Sequence, residues 1–455
     1  MADILLVNAR SWTNGPPSYL PYGLLWIAGL LKKEGFSTAI FDRNVDTRDP
    51  SEVFLREYPR VIAISCLTGP VINDALMLSA LARKELNESF VVWGGIHPTI
   101  FPEFVLSRPE VDYVITGEGE FPLLELARYI FQREGSLEEI ANLGYKDGKK
   151  NNLNPQRDFI DLNILPSPAW ELVDINKYIQ RKFYSPKVIT LNTSRGCPWR
   201  CAFCYNQAVN KRRWRGISAE RIVEHMDYFS ANYGITGFQF YDDEFDVDEK
   251  RVIQMCRILT GKRKKYVFGH FSRVNTISLK RLEVEKEAGL RFIEFGIESG
   301  SPRILEFIEK DQTTDMIKKA FALCVKAKVK SGALFMLGLP GESEEDVMLT
   351  KNLVDGLSAH QTIPTIFKPY PATKLYDYCL KQGLFRLPED LSRQADIYGL
   401  GDFSINTSLV PLRVLKKIYS HFTFRNIRKE LFGALTSCNF GLLFYYFKKL
   451  LKRIK

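Results

Sequence analysis

The run Thr193-Ser194-Arg195-Gly196-Cys197-Pro198-Trp199-Arg200-Cys201-Ala202-Phe203-Cys204-Tyr205-Asn206 places three thiols in a C-x3-C-x2-C spacing. Cys197, Cys201 and Cys204 can grip one face of a cubane iron–sulfur cluster, in which each of four irons wants a ligand. Three thiolates leave one iron open to another molecule, as the free position of a catalytic metal site does. A structural zinc knuckle is the competing reading. It needs a fourth ligand, and the closest downstream imidazole is His225.

Outward from this run the chain alternates apolar strands with helical segments. Strands are expected at 187–193, 237–241, 266–270, 292–296, 332–337 and 362–367, with helices at 219–233, 250–259, 279–288, 314–328, 344–357 and 374–381. Six β/α units make three-quarters of a barrel, whose chemistry belongs to the loops after the strands. The cysteines follow the first strand. Upstream, shorter runs at 3–8, 37–41, 61–65, 90–93 and 111–115 alternate with helices at 22–34, 71–86 and 120–133. That pattern implies a parallel, doubly wound sheet with ligands at the carboxyl ends of its strands. Between the two lies a stretch with a polar turn at 146–149 and an extended Leu165-Pro166-Ser167-Pro168. The expected division is an α/β, Rossmann-like domain at 1–135, a linker at 136–185, a partial (β/α)6 barrel at 186–385, and a basic, helical C-terminal region at 386–455.

A chain of 455 residues with 45% hydrophobic and 25% charged residues is globular and large enough for two or three domains. No signal peptide and no bilayer-spanning apolar run is read from it. Eight cysteines, three of them clustered, argue for metal binding in a reduced, cytoplasmic compartment over disulfides. Cys256 and Cys324 fall on apolar helix faces, where a small hydrophobe is the ordinary role. The net charge of +10 is concentrated at the end, since 411–455 carries eleven Lys or Arg against the single acid Glu430.

With Phe203 just before the last cysteine, the triplet resembles the signature of radical S-adenosylmethionine (SAM) enzymes. In that family the open iron of a [4Fe-4S] cluster chelates the methionine end of SAM. Further elements fit the same resemblance. Tyr241-Asp242-Asp243-Glu244 stands where the family holds the methionine ammonium, with Asp243 favoured; an acid capping the next helix is the alternative. Gly296-Ile297-Glu298-Ser299-Gly300 resembles the element whose acid and hydroxyl, here Glu298 and Ser299, reach SAM, against a plain salt bridge from Glu298 to Arg303. Gly338, in Leu337-Gly338-Leu339-Pro340-Gly341, resembles the segment beside adenine. Arg273 is a candidate partner of the methionine carboxylate.

The first domain resembles the cobalamin-binding domain of B12-binding radical SAM proteins through Ser65-Cys66-Leu67 and Gly94-Gly95. A hydroxyl can bond a buried nucleotide tail, and glycines admit it close to the backbone. Ser65, Leu67, Gly94 and Gly95 are the implied cobalamin contacts. The motif that supplies a cobalt-ligating His elsewhere reads Asp42-Arg43-Asn44, so no imidazole is available there, and His97 before Pro98 is read as structural. A Rossmann-like domain that binds nothing remains the alternative.

The resemblance implies a [4Fe-4S] cluster, SAM and cobalamin as cofactors and an external one-electron reductant of flavodoxin or ferredoxin type. It implies reductive cleavage of SAM to a 5′-deoxyadenosyl radical, hydrogen abstraction from an unactivated carbon of a small-molecule or lipid substrate, and methyl transfer from cobalamin. Cyclisation or rearrangement without methyl transfer is one rival, and an electron-transfer protein with a closed cluster is another. No catalytic side chain is singled out. The basic, aromatic end (440–455) suits peripheral attachment to an anionic membrane, simple packing on the barrel, or, least, nucleic acid, for which no recognition motif is present.

Overall fold

The computed structural model describes residues 1–11, 19–148, 150–388, 390 and 403–436, the last seven as backbone only, and contains two seven-stranded sheets. In the first, β1 (Ile4–Asn8), β2 (Thr38–Asp42), β3 (Val61–Ser65), β4 (Phe90–Gly94) and β5 (Tyr113–Ile115) are parallel in the order β2-β1-β3-β4-β5. These runs are continuously apolar because helices cover both faces of the sheet. The winding reverses between β1 and β3, the point at which open α/β sheets take ligands. The sheet does not end near residue 135. β6 (Leu143–Asp147) and β7 (Lys150–Leu153) extend it as an antiparallel hairpin from β5. The polar turn of this hairpin is legible in the sequence, but its pairing depends on the free edge of β5.

One face of the sheet packs around Phe54, Leu78 and Trp93, whereas the other shares a continuous core with the second sheet. The stretch expected as a linker makes that continuity, so it is a packed connector. Ala169 N donates to Leu25 O at 3.0 Å, and the Trp170 ring meets Tyr22 at 5.4 Å and Phe229 at 4.9 Å. Tyr178 Oη donates to Asp42 Oδ2 at 2.8 Å. The turns here are single 3-10 turns of three or four residues, too short to leave a periodic trace.

The second sheet runs from β8 (Gln180–Lys182) and β9 (Ser185–Leu191) onward. After a small ribbon of β10 (Ser194–Arg195) and β11 (Arg215–Gly216), it continues with β12 (Gly237–Phe240), β13 (Val267–Ser272), β14 (Leu290–Glu298), β15 (Lys330–Leu337) and β16 (Gln361–Ile366). Its order is β16-β15-β14-β13-β12-β9-β8, with only β8 antiparallel, so it is an open half-barrel of six parallel strands. Strand alternation sorts the faces. In β14, Ile293, Phe295 and Ile297 join the core under the helices, leaving Phe292, Glu294, Gly296 and Glu298 on the concave side.

The open edge at β16 is covered. Helix Leu412–Thr436 buries Leu415, Ile418 and Phe422 against it, and Asn426 Oδ1 accepts from Thr362 N at 3.0 Å while its amide donates back to Thr362 O. A side-chain amide here substitutes for a strand and blocks edge-to-edge pairing. This part of the basic region therefore packs on the barrel. The run 440–455 lies outside the described residues. No described helix is long and apolar enough to cross a membrane.

Candidate active site

The cysteine loop leaves β9 and is closed at its neck by the β10–β11 ribbon. Gly196 has φ +84°, and a Cβ there would lie 2.1 Å from Arg213 O, so the approach of the two ends excludes every other residue. Asp242 pins the neck. Its buried carboxylate accepts from Thr193 N at 2.6 Å, from Ser194 N, and from both hydroxyls. Burial pushes this carboxyl up, while Arg251 and the Thr193 and Ser194 donors pull it back. Asp248, not an acid of the Asp242–Glu244 run, caps the following helix by accepting from Arg251 N at 3.1 Å. Asp243 is exposed and lines the inter-domain cavity; its oxygens accept from Gly196 N at 3.1 Å and Tyr205 Oη at 3.2 Å.

The donor set fits an iron–sulfur cluster. Burial pushes the Cys197 thiol up to about 12 and Cys204 up to about 11, so loading iron displaces their protons. Two buried cations stand at the third thiol. Arg273 Nη1 donates to Cys201 Sγ at 3.2 Å, and Lys310, held by Glu298 at 2.7 Å, has its charged form favoured by Glu298 and by Cys201 against the opposing effect of burial. Such charges complement the anionic sulfur of a cluster. Among the described residues no three His, Cys, Asp or Glu side chains converge as around a single ion; a cubane instead asks for one thiolate at each of three corners.

Several expected SAM contacts are differently placed. Arg273 stacks on Trp199 at 4.5 Å and donates to Cys201 and to Lys310 O, which leaves its fork turned toward the cluster loop rather than toward a free carboxylate. Glu298, in a left-handed turn at φ +61°, pairs with Lys310; Arg303 pairs with Asp346 instead. Ser299 is fully buried, with Oγ 3.1 Å from Thr350 Oγ1, so its hydroxyl braces the loop and does not reach the concave side. Gly338, at φ +83°, donates its N–H to the buried Glu342 at 2.7 Å and its carbonyl accepts from Thr407 Oγ1 at 2.8 Å, beneath the segment leading to the last helix. Phe203 packs beside the cation of Lys310, 5.8 Å from the ring centre.

The residues expected to contact cobalamin lie together. Ser65, Leu67, Gly94 and Gly95 line a cavity of about 580 Å³ between the strand ends of the two sheets, with Tyr205 and Asp243 on the opposite wall. Gly95 serves the loop first: at φ +103° its Cβ would meet Cys66 O at 2.8 Å. Gly94 is the open one, with only Ile115 O at 3.8 Å. Asn44, at the position of the missing imidazole, bonds its amide to Ala9, Ser11 and Asp42. His97 lies outside the lining, buried against Phe101 and 3.2 Å from Thr68 Oγ1, and burial pushes it down to about 4, so it is neutral.

Three features escaped sequence reading. Arg195 and Arg215, flanking the cysteine loop, bind Glu118 at 2.9 and 2.8 Å, clamping the loop to the first domain. Arg195 was visible beside Cys197, but its partner is 77 residues away. Glu244 is wholly buried and is pushed well above the carboxylate range by burial and by Asp246. Asp246 falls to about 2 because Arg281 overcomes the effect of burial. The third is two polar side chains on the concave side, on separate strands. Gln239 Nε2 is buried without an acceptor, and Glu294, only 6% exposed, has no hydrogen bond or ion pair among the described residues. Gly332, where a Cβ would sit 3.1 Å from Glu294 Cγ, makes room for it.

Burial pushes Glu294 up to about 7, from an ordinary 4.5. Its protonated form is the one the fold favours, so its contribution is intact below pH 4.5 and lost as the pH climbs through 7. Glu294→Gln is therefore expected to match the wild type in urea titrations near pH 4 and to exceed it at pH 8 by on the order of 3 kcal/mol. An equal difference at both pH values would show that Glu294 is not carrying a proton in the fold.

Comparison with known proteins agrees with the two-domain fold. The radical SAM superfamily matches residues 191–354, and the B12-binding domain matches residues 16–127. A Pyrococcus horikoshii protein named as an uncharacterized methyltransferase is 32% identical over 91% of this chain and 89% of its own. An anaerobic magnesium-protoporphyrin IX monomethyl ester cyclase of Rubrivivax gelatinosus is 28% identical over 80% of this chain and 66% of its own. Among solved structures, the radical SAM methyltransferase TsrM of Kitasatospora setae, with cobalamin and a [4Fe-4S] cluster bound, superposes with a TM-score of 0.71 at 18% identity, covering 84% of this chain and 78% of its own.

Proposed function

The chain belongs to the radical SAM superfamily and carries a B12-binding domain ahead of its half-barrel, and from that premise we propose that it transfers a methyl group to an unactivated carbon. The observation that carries this reading is the single cavity walled by Ser65, Leu67, Gly94 and Gly95 on one side and by Tyr205 and Asp243, next to the cysteine loop, on the other. Held by these elements, a [4Fe-4S] cluster, SAM and cobalamin would supply one-electron cleavage and a methyl donor to the space between the two sheets. Cys197, Cys201 and Cys204 hold the cluster. Arg273 and Lys310 balance its charge from below. Asp243 accepts from the SAM ammonium. Gln239 and Glu294 offer a donor and a carboxyl to a polar group of the substrate, deeper on the concave side.

The substrate is proposed to be a small molecule or lipid, the electron source an external flavodoxin or ferredoxin, and the setting cytoplasmic with the basic C-terminal region peripheral to a membrane. A second reading, ring closure without methyl addition, is favoured by the cyclase relative. Anaerobically reconstituted protein given SAM and candidate substrates decides: a product heavier by one methylene is expected, and a product lacking it, formed with 5′-deoxyadenosine, would favour the cyclase. Without any 5′-deoxyadenosine, both readings fall.

Cobalamin is expected to bind with no protein imidazole on cobalt, since His97 faces Phe101 and Thr68 and Asn44 is already bonded. His97→Ala should leave the electron paramagnetic resonance and visible spectra of the bound cobalamin unchanged. A changed axial ligand in that variant would refute the assignment.

A further inference from the structure

At the end of the half-barrel opposite the cysteine loop, helix Leu412–Thr436 and the amino ends of β15 and β16 enclose an open groove of about 950 Å³. Its rim carries Lys328, Lys330, Arg428 and Lys429, and among the described residues no acid lines it. Asp355 is engaged by Arg425, which also lines the groove, at 3.0 Å and by Lys351 at 2.7 Å. Lys330 lies 4.7 Å from the centre of the Phe183 ring, and Lys429 donates to Ala359 O at 2.8 Å, but no described carboxylate pairs with any of the four. The positive field is felt by neighbours: burial, with Lys330 and Lys429, drives His360 down to about 4. The wall of the groove is apolar, with Val325, itself 56% exposed, beside Val329 and Leu357.

We propose that this groove seats the headgroup of an anionic phospholipid at a membrane surface. Four cations with no carboxylate partner among the described residues, around an open cleft, invite a phosphodiester. The apolar wall suits the glycerol and first methylenes of a lipid better than a fully hydrated phosphate. The chain itself continues the theme, for the sequence beyond the helix reads Phe440-Gly441-Leu442-Leu443-Phe444-Tyr445-Tyr446-Phe447 followed by Lys448, Lys449, Lys452, Arg453 and Lys455. Placement at the amino ends of the strands leaves the inter-domain cavity free while the protein is docked. The inference rests on the peripheral-membrane reading and assigns it a specific site.

The test is co-sedimentation of the full-length, reconstituted protein with vesicles of phosphatidylcholine alone or mixed with phosphatidylglycerol. The wild type should bind the mixed vesicles, and added salt should weaken binding. Lys328→Ala, Arg428→Ala and Lys429→Ala combined should weaken it by at least about tenfold. Neutralising the same number of exposed lysines elsewhere, at Lys280, Lys318 and Lys319, should change it by less than about twofold. SAM cleavage should persist in every variant. Equal losses in the two triple variants would overturn the groove, reducing the effect to overall charge. Full binding by the groove variant, with loss on deleting 440–455, would sink the groove but keep the membrane reading. Groove-dependent binding of inorganic pyrophosphate without vesicle binding would overturn the lipid assignment in favour of a soluble anion.

Discussion

Cys201→Ala is expected to lose the four-iron cluster and all SAM cleavage together. Three thiolates are the fewest that hold a cubane while one iron stays open, so removing any one releases the grip. Cys201 is the most exacting of the three, because its sulfur also receives Arg273 Nη1 at 3.2 Å and its charge is one that favours the cation of Lys310. Its loss leaves two buried cations facing an empty corner. Iron content, the broad visible absorbance of the cluster and the yield of 5′-deoxyadenosine should all fall to background, and Cys197→Ala and Cys204→Ala should behave alike. Cys256→Ala and Cys324→Ala, in the core under the helices, should retain both cluster and cleavage. Cleavage surviving in Cys201→Ala, or a cluster lost from Cys256→Ala, would show that the wrong thiols had been assigned.

The second large effect is on stability. Arg281 is 1% exposed and is the cation shared by Asp246, to which Nη2 donates, and by Glu285, 3.6 Å from Nε. Both acids are fully buried, and Asp246 in turn holds the Ser272 hydroxyl at 2.6 Å and stands against the protonated Glu244. Arg281→Leu leaves these carboxyls in a dry interior with only the His270 imidazole, 3.6 Å from Glu285 Oε2, beside them. Breaking such a pair from one side costs about 3–5 kcal/mol, a large share of the stability of an ordinary domain. The variant is expected to be insoluble or to unfold at much lower urea concentration than wild type. Arg281→Lys, which restores a charge without the fork, should recover part of the loss. A loss under about 1 kcal/mol would show that Arg281 is not the charge that keeps the buried carboxyls satisfied.

Much of this architecture is legible in one dimension. Parallel strands buried on both faces are short, continuous apolar runs, and the two sheets follow from the count and spacing of those runs. The cysteine triplet is equally local, since a single loop supplies all three thiols, and the strand-end glycines and Ser65 announce themselves by neighbouring residues. Asp42-Arg43-Asn44 likewise shows directly that no imidazole occupies that position.

What the sequence could not decide is which polar groups meet. Residues 136–185 read as a linker because their turns are too short for periodicity, yet Trp170 and Tyr178 fuse the two cores. Read alone, Arg273 suits a carboxylate, and only the approach of β13 to the cysteine loop gives it to Cys201. Ser299 belongs by motif to the ligand, but packing turns it to Thr350. The Glu118 clamp on Arg195 and Arg215, and the buried set of Glu244, Asp246 and Arg281, join residues separated by tens of positions. Burial of an apolar side chain is a property of a residue and its near neighbours, so it leaves a pattern in the chain. The pairing of a buried charge depends on which distant group arrives within about 3–4 Å, and that is settled only when the sheets close on each other.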